Sequence, residues 1–92
     1  MPSPELTPVI VAAKRTPIGK YLGPLSALTA PQLGGQAIAA ALAASGVPAE
    51  LVEAVIMGHV LQAGTGQAPA RQAALLGGVP VTASAFAVNM VC

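Results

Sequence analysis

The residue best suited to chemistry is the single cysteine, Cys92, which closes the 92-residue sequence. A thiolate is a strong nucleophile, and the thioester it forms keeps an acyl group activated for a second transfer. Composition alone also allows a lone cysteine to be a small buried hydrophobe. Its setting favours chemistry, because it follows an expected strand, Ala85 to Val91, with no turn between. In open α/β sheets the space beyond the carboxyl ends of strands holds ligands. A helix starting just past Cys92 would favour its thiolate.

The other candidates carry less. His59 has the type of a base or ligand, but the chain has no second His and no Asp. It is therefore expected to line a loop, and no metal site is expected. Lys14, Arg15 and Lys20 crowd one stretch, where they could steer an anion or stand solvated. Arg71 opens an otherwise neutral helical segment. A cation there opposes the helix dipole, so it requires a specific partner, of which a subunit contact is one option. Gly64-Thr65-Gly66 resembles a phosphate-cradling loop, but Pro69 stands where a third small residue belongs and no acidic residue follows. Gly19-Lys20 fails as a P-loop, with Lys14 at the first glycine and Tyr21 in place of Ser or Thr. These glycines are read as turn residues.

Composition narrows the classes further. Charged residues make up 8% of the chain, hydrophobic residues 54% and aromatics 2%, with a net charge of +1. Disorder needs low hydrophobicity and high charge. Nucleic-acid binding needs a basic patch and stacking rings, and four cations with one Tyr and one Phe supply neither. A membrane span needs about 18–20 consecutive apolar residues, whereas prolines, glycines and polar groups leave only Ala37 to Ala44 continuous within Tyr21–Ala49. The start, Met1 to Leu6, has no basic region of a secretory signal, and a cytoplasmic location is expected. So apolar and uncharged a chain suits an incomplete piece, residues 1–92, of a larger domain.

The elements that must place these residues can be read in order. Val9 to Ala13 is apolar without alternation, the pattern of a strand buried on both faces. Ile18 to Leu28 is a loop. Thr29-Ala30-Pro31-Gln32 matches a capping box with proline in the first turn. The helix so begun should run through Ser45, stop at Gly46 and be kept from resuming by Pro48. Its Gly34-Gly35 pair weakens it but permits close approach of a sheet or another helix. A short turn near Glu50–Glu53 precedes a strand at Ala54–Met57, ending at Gly58. A second helix, Pro69–Leu76, stops at Gly77-Gly78, and a third strand spans Ala85–Val91. Strand, helix, strand, helix, strand is the order of an α/β layered sheet.

Three segments then point to a family. Val9-Ile-Val-Ala-Ala-Lys-Arg-Thr-Pro-Ile-Gly-Lys20 resembles the opening strand and loop of the thiolases. Val55-Ile-Met-Gly-His-Val-Leu-Gln-Ala-Gly64 with Gly66-Gln-Ala-Pro-Ala-Arg-Gln-Ala-Ala-Leu75 is similar to their next signature. Ala87-Val-Asn-Met-Val-Cys92 resembles the segment ending at the family's acyl-accepting cysteine. The matches run in order from about Pro8 to the end.

The resemblance implies the first βαβαβ part of the amino-terminal half of a five-layered α-β-α-β-α fold. It also implies ping-pong acyl transfer: two acetyl-CoA condense to acetoacetyl-CoA and CoA, or the reverse thiolysis occurs. Cys92 would be the nucleophile, and its backbone N–H would help form an oxyanion hole. The implied partners are acetyl-CoA and acyl-CoA substrates, the rest of a thiolase chain, and a second copy or copies in a homodimer or homotetramer. Coenzyme A enters only as part of the substrate, with no permanently bound cofactor. The family's activating histidine, second cysteine and oxyanion-hole asparagine belong to later segments, so Asn89 is expected to be structural and His59 takes no catalytic role. Met90 stands where many members carry a basic residue. Two other readings compete: a thiolase-like protein that binds acyl-CoA or lipid without turnover, and an alanine-rich membrane-inserting segment. The lack of an uninterrupted apolar run counts against the last.

Overall fold

A computed structural model describes residues 6–92. The reading of the first five residues as lacking a signal lies outside them. Helix α1 spans Ala30–Ser45, β1 Ala54–Gly58, α2 Pro69–Leu76 and β2 Ser84–Val88, with a 3-10 turn at Ala49–Leu51 before β1.

The first helix starts where its local chemistry dictates. The Thr29 hydroxyl accepts from the Gln32 N–H at 3.2 Å, and the Thr29 N–H donates to Gln32 Oε1 at 2.8 Å. Two backbone donors that the helix cannot satisfy internally are thereby paired. Pro31 occupies the first turn, and Gly46 closes the helix in the left-handed conformation with φ 69°. Ser45 adds a C-terminal tie, donating to Leu42 O and accepting from the Val47 N–H.

The small residues expected to allow close approach do so against α2. A Cβ on Gly34 would lie 3.2 Å from the Ala73 methyl, and one on Gly35 would lie 2.8 Å from Leu76 Cβ. The two helices share one face of a two-stranded parallel sheet whose register pairs Val55 with Ala85 and Met57 with Ala87. Val55, Ala74, Val79 and Ala83 form the core, with Ile38, Leu42, Val52, Met57 and Ala85 packed around it. The opposite sheet face is bare: Ile56 is 61% exposed and Phe86 50%. Alternation along the strands thus sends one set of side chains under the helices and the other outward.

Two strand expectations are corrected. Val9 to Ala13 forms no strand, and Ile10 is 90% exposed. A strand requires backbone partners, and β1 is hydrogen-bonded only to β2 among the described residues. Val11 and Ala12 instead border an open apolar groove beside Ile38, Leu42 and Val55. The third strand ends at Val88 rather than Val91 because its partner ends at Gly58. One further bond, from the His59 N–H to Val88 O at 2.9 Å, closes the ladder. The remaining boundaries, α1, β1 and α2, fall where the sequence placed them.

Candidate active site

Because β1 and β2 are parallel, the connections after Gly58 and after Val88 leave the same edge of the sheet. The first carries His59 and the loop to α2, and the second carries Asn89 to Cys92. Asn89 to Val91 continue past the last ladder bond without regular secondary structure, and Cys92 is a free, exposed thiol.

His59 is half-buried at this edge. With Pro31, Met57, Pro69, Ala70 and Ala73 it lines a small apolar cavity between the starts of the two helices. Its carbonyl accepts from Gln62 Nε2 at 3.1 Å. That is the loop-lining position expected of it. The Gly64-Thr65-Gly66 segment is a turn: Gly64 and Gly66 have φ 77° and 80°, values that a residue without a Cβ adopts readily.

Arg71 finds partners within the chain. Its guanidinium donates to Val81 O at 3.4 Å and to Ala83 O at 3.5 Å, tying α2 to the turn that feeds β2. Lys14, Arg15 and Lys20 are exposed. Arg15 donates to the carbonyl of its own neighbour Thr16.

One residue went unremarked in the sequence. The Gln72 side-chain amide donates to Thr65 O at 2.7 Å and to Gln67 O at 2.8 Å. The signal was a long amide in the first turn of a helix, where side chains lean back toward the preceding loop.

The family model described as "Thiolase, N-terminal domain" matches residues 8–92. This chain belongs to the thiolase family. Among curated relatives, the mitochondrial acetyl-CoA acetyltransferase of Danio rerio is 54% identical over 84 residues, covering 91% of this chain and 20% of the relative. A probable acetyl-CoA acetyltransferase of Mycobacterium tuberculosis is 54% identical over 86 residues, covering 94% and 22%. The acetyl-CoA acetyltransferase of Cupriavidus necator is 52% identical over 84 residues, covering 91% and 21%. A crystal structure of a thiolase from Ascaris suum in complex with coenzyme A superposes with a TM-score of 0.83 at 34% identity, over 86% of this chain and 21% of that one. The chain therefore spans about a fifth of the length of the thiolases it matches. Within that span the α/β architecture, parallel strands with helices, is that of part of a thiolase fold.

Proposed function

We propose that these residues form part of an acetyl-CoA acetyltransferase in which Cys92 accepts the acyl group. The reading is carried by the sequence kinship to acetyl-CoA acetyltransferases over 91% of the chain. The free, exposed thiol at the carboxyl edge of a parallel sheet agrees with it.

In the first step the Cys92 thiolate attacks the carbonyl carbon of acetyl-CoA. A carbon–sulfur bond forms and the bond to CoA breaks, the CoA thiolate taking up the proton that the Cys92 thiol had given to a neighbouring base. Backbone N–H groups, that of Cys92 among them, would stabilise the oxyanion that develops on the carbonyl oxygen. In the second step a base removes a methyl proton from another acetyl-CoA. The resulting carbanion attacks the thioester, forming the new carbon–carbon bond and returning the thiolate to Cys92. The reverse sequence is thiolysis of acetoacetyl-CoA. The resemblance assigns the base and the second oxyanion hole to later segments of a longer chain, which is proposed to work in the cytoplasm as a homodimer or homotetramer.

The test is the intact mass of the full-length protein after brief incubation with acetyl-CoA, followed by peptide mapping. An acetyl adduct on the peptide containing Met90-Val91-Cys92 supports the reading. A folded protein with a free thiol and no adduct would instead be a binder of acyl-CoA without turnover.

A further inference from the structure

The loop between β1 and α2 is unusual in its backbone. Gly64, Gly66 and Ala68 all have positive φ, at 77°, 80° and 47°. Ala68 has a Cβ and so is disfavoured there. A loop with such a residue at its end is held by bonds from outside itself.

Those bonds come from Gln72. Its one amide nitrogen spans the loop, reaching Thr65 O and Gln67 O on either side of Gly66. A Cβ at Gly66 would come 3.1 Å from the same nitrogen, so the loop is drawn tightly over it. The bonding continues from there. The Thr65 hydroxyl donates to Gln62 O at 2.6 Å, and Gln62 Nε2 donates to His59 O at 3.1 Å. The His59 N–H then donates to Val88 O at 2.9 Å. Val88 is the last residue of β2 before the stretch that bears Cys92. Gln62, Gly66 and Ala68 also face Ala85, Phe86 and Ala87 of that strand across an open cavity.

We propose that Gln72 is a positioning residue for the acyl-accepting thiol, acting through the loop Gln62–Ala68 and the His59–Val88 bond on the segment that ends at Cys92. It touches neither the thiol nor the substrate. Its amide supplies two donors at the places where the loop presents two carbonyls, and the loop braces the sheet edge from which Asn89–Cys92 departs. This inference rests on the reading of Cys92 as the acyl acceptor.

The experiment uses the full-length protein with three substitutions, Gln72→Leu, Gln72→Glu and Gln72→Lys. The rate of Cys92 acetylation by acetyl-CoA is followed by rapid-quench mass spectrometry, and melting is measured alongside. Leucine donates nothing and glutamate would set a carboxylate against two carbonyls, so both should slow acetylation per folded molecule by about ten-fold or more, since small misplacements of reacting groups are costly. Lysine can donate to both carbonyls and should recover most of the rate. Recovery by lysine is a response that loss of packing would not give.

Acetylation of Gln72→Leu and Gln72→Glu at the wild-type rate overturns the inference, as does failure of all three variants to fold, which would make Gln72 a stability residue. A wild-type protein that is itself not acetylated overturns the reading of Cys92 and this inference with it. Wild-type acetylation with unaffected variants overturns this inference alone.

Discussion

Gly77, just past α2, packs against Ile38 of α1, and replacing it with alanine isolates a steric effect. Its φ is −82°, which alanine adopts without strain. Backbone entropy therefore favours Gly77→Ala by about 0.4–1 kcal/mol. Space opposes it: the new Cβ would lie 2.6 Å from Ile38 Cγ2, 2.7 Å from Ile38 Cβ and 3.0 Å from Gly35 O. Carbon atoms prefer about 3.5–4.0 Å, so the helices must part or Ile38 must move. Overpacking of this kind costs about 1–3 kcal/mol. Because one contact is with backbone oxygen, the upper end applies, and the net loss should be about 2 kcal/mol. At roughly 2–4 °C per kcal/mol for a medium-sized domain, the melting point should fall by about 4–8 °C. The assay is thermal unfolding of the full-length protein, with Ile38→Ala and the double variant completing a cycle. Ile38→Ala removes the Cγ2 atom, so the double variant should lose less than the sum of the two singles. Gly58→Ala serves as control, since nothing lies within 4 Å of a Cβ there. A Gly77→Ala protein as stable as wild type would refute the reasoning, as would strict additivity with Ile38→Ala.

Thr29→Ala removes the hydroxyl that accepts from the Gln32 N–H and should cost about 1 kcal/mol, read as a lower denaturant midpoint, with Thr29→Ser recovering most of it. Arg71→Ala loses two long bonds to Val81 O and Ala83 O. Relief of the unfavourable helix dipole offsets part of that, so a loss of about 0.5–1 kcal/mol is expected, and Arg71→Lys, which cannot span both carbonyls, should recover only part. Cys92→Ser, which exchanges a single atom, should abolish the acetyl-enzyme thioester in intact-mass measurements while leaving the protein folded.

The elements read correctly from the residues are those whose decisive bonds lie within a few positions of one another. Thr29 and Gln32 cap each other across three residues, Gly46 supplies its own left-handed stop, and Pro69 and Gly77 bracket α2. The ordered segments around Lys14, His59 and Cys92 were likewise sufficient to indicate the thiolase family. Cys92 was legible as a candidate because only one cysteine exists and a strand runs toward it.

Pairing and coverage, in contrast, depend on groups far apart in the chain, and there the residues were ambiguous. Val9 to Ala13 has the composition of a buried strand, yet composition cannot supply the neighbour whose N–H and C=O groups a strand requires, and the segment lies unpaired beside a groove. Met90 and Val91 continue the apolar character of β2, but the ladder with β1 ends at Gly58 and leaves them unpaired with it. Arg71 and Gln72 are adjacent polar residues on one short helix. Only folding brings the first to carbonyls ten and twelve residues ahead and the second to carbonyls seven and five residues behind. Local hydrogen bonds are specified by neighbours in sequence, whereas a sheet edge and the loops that brace it exist only once distant segments have met.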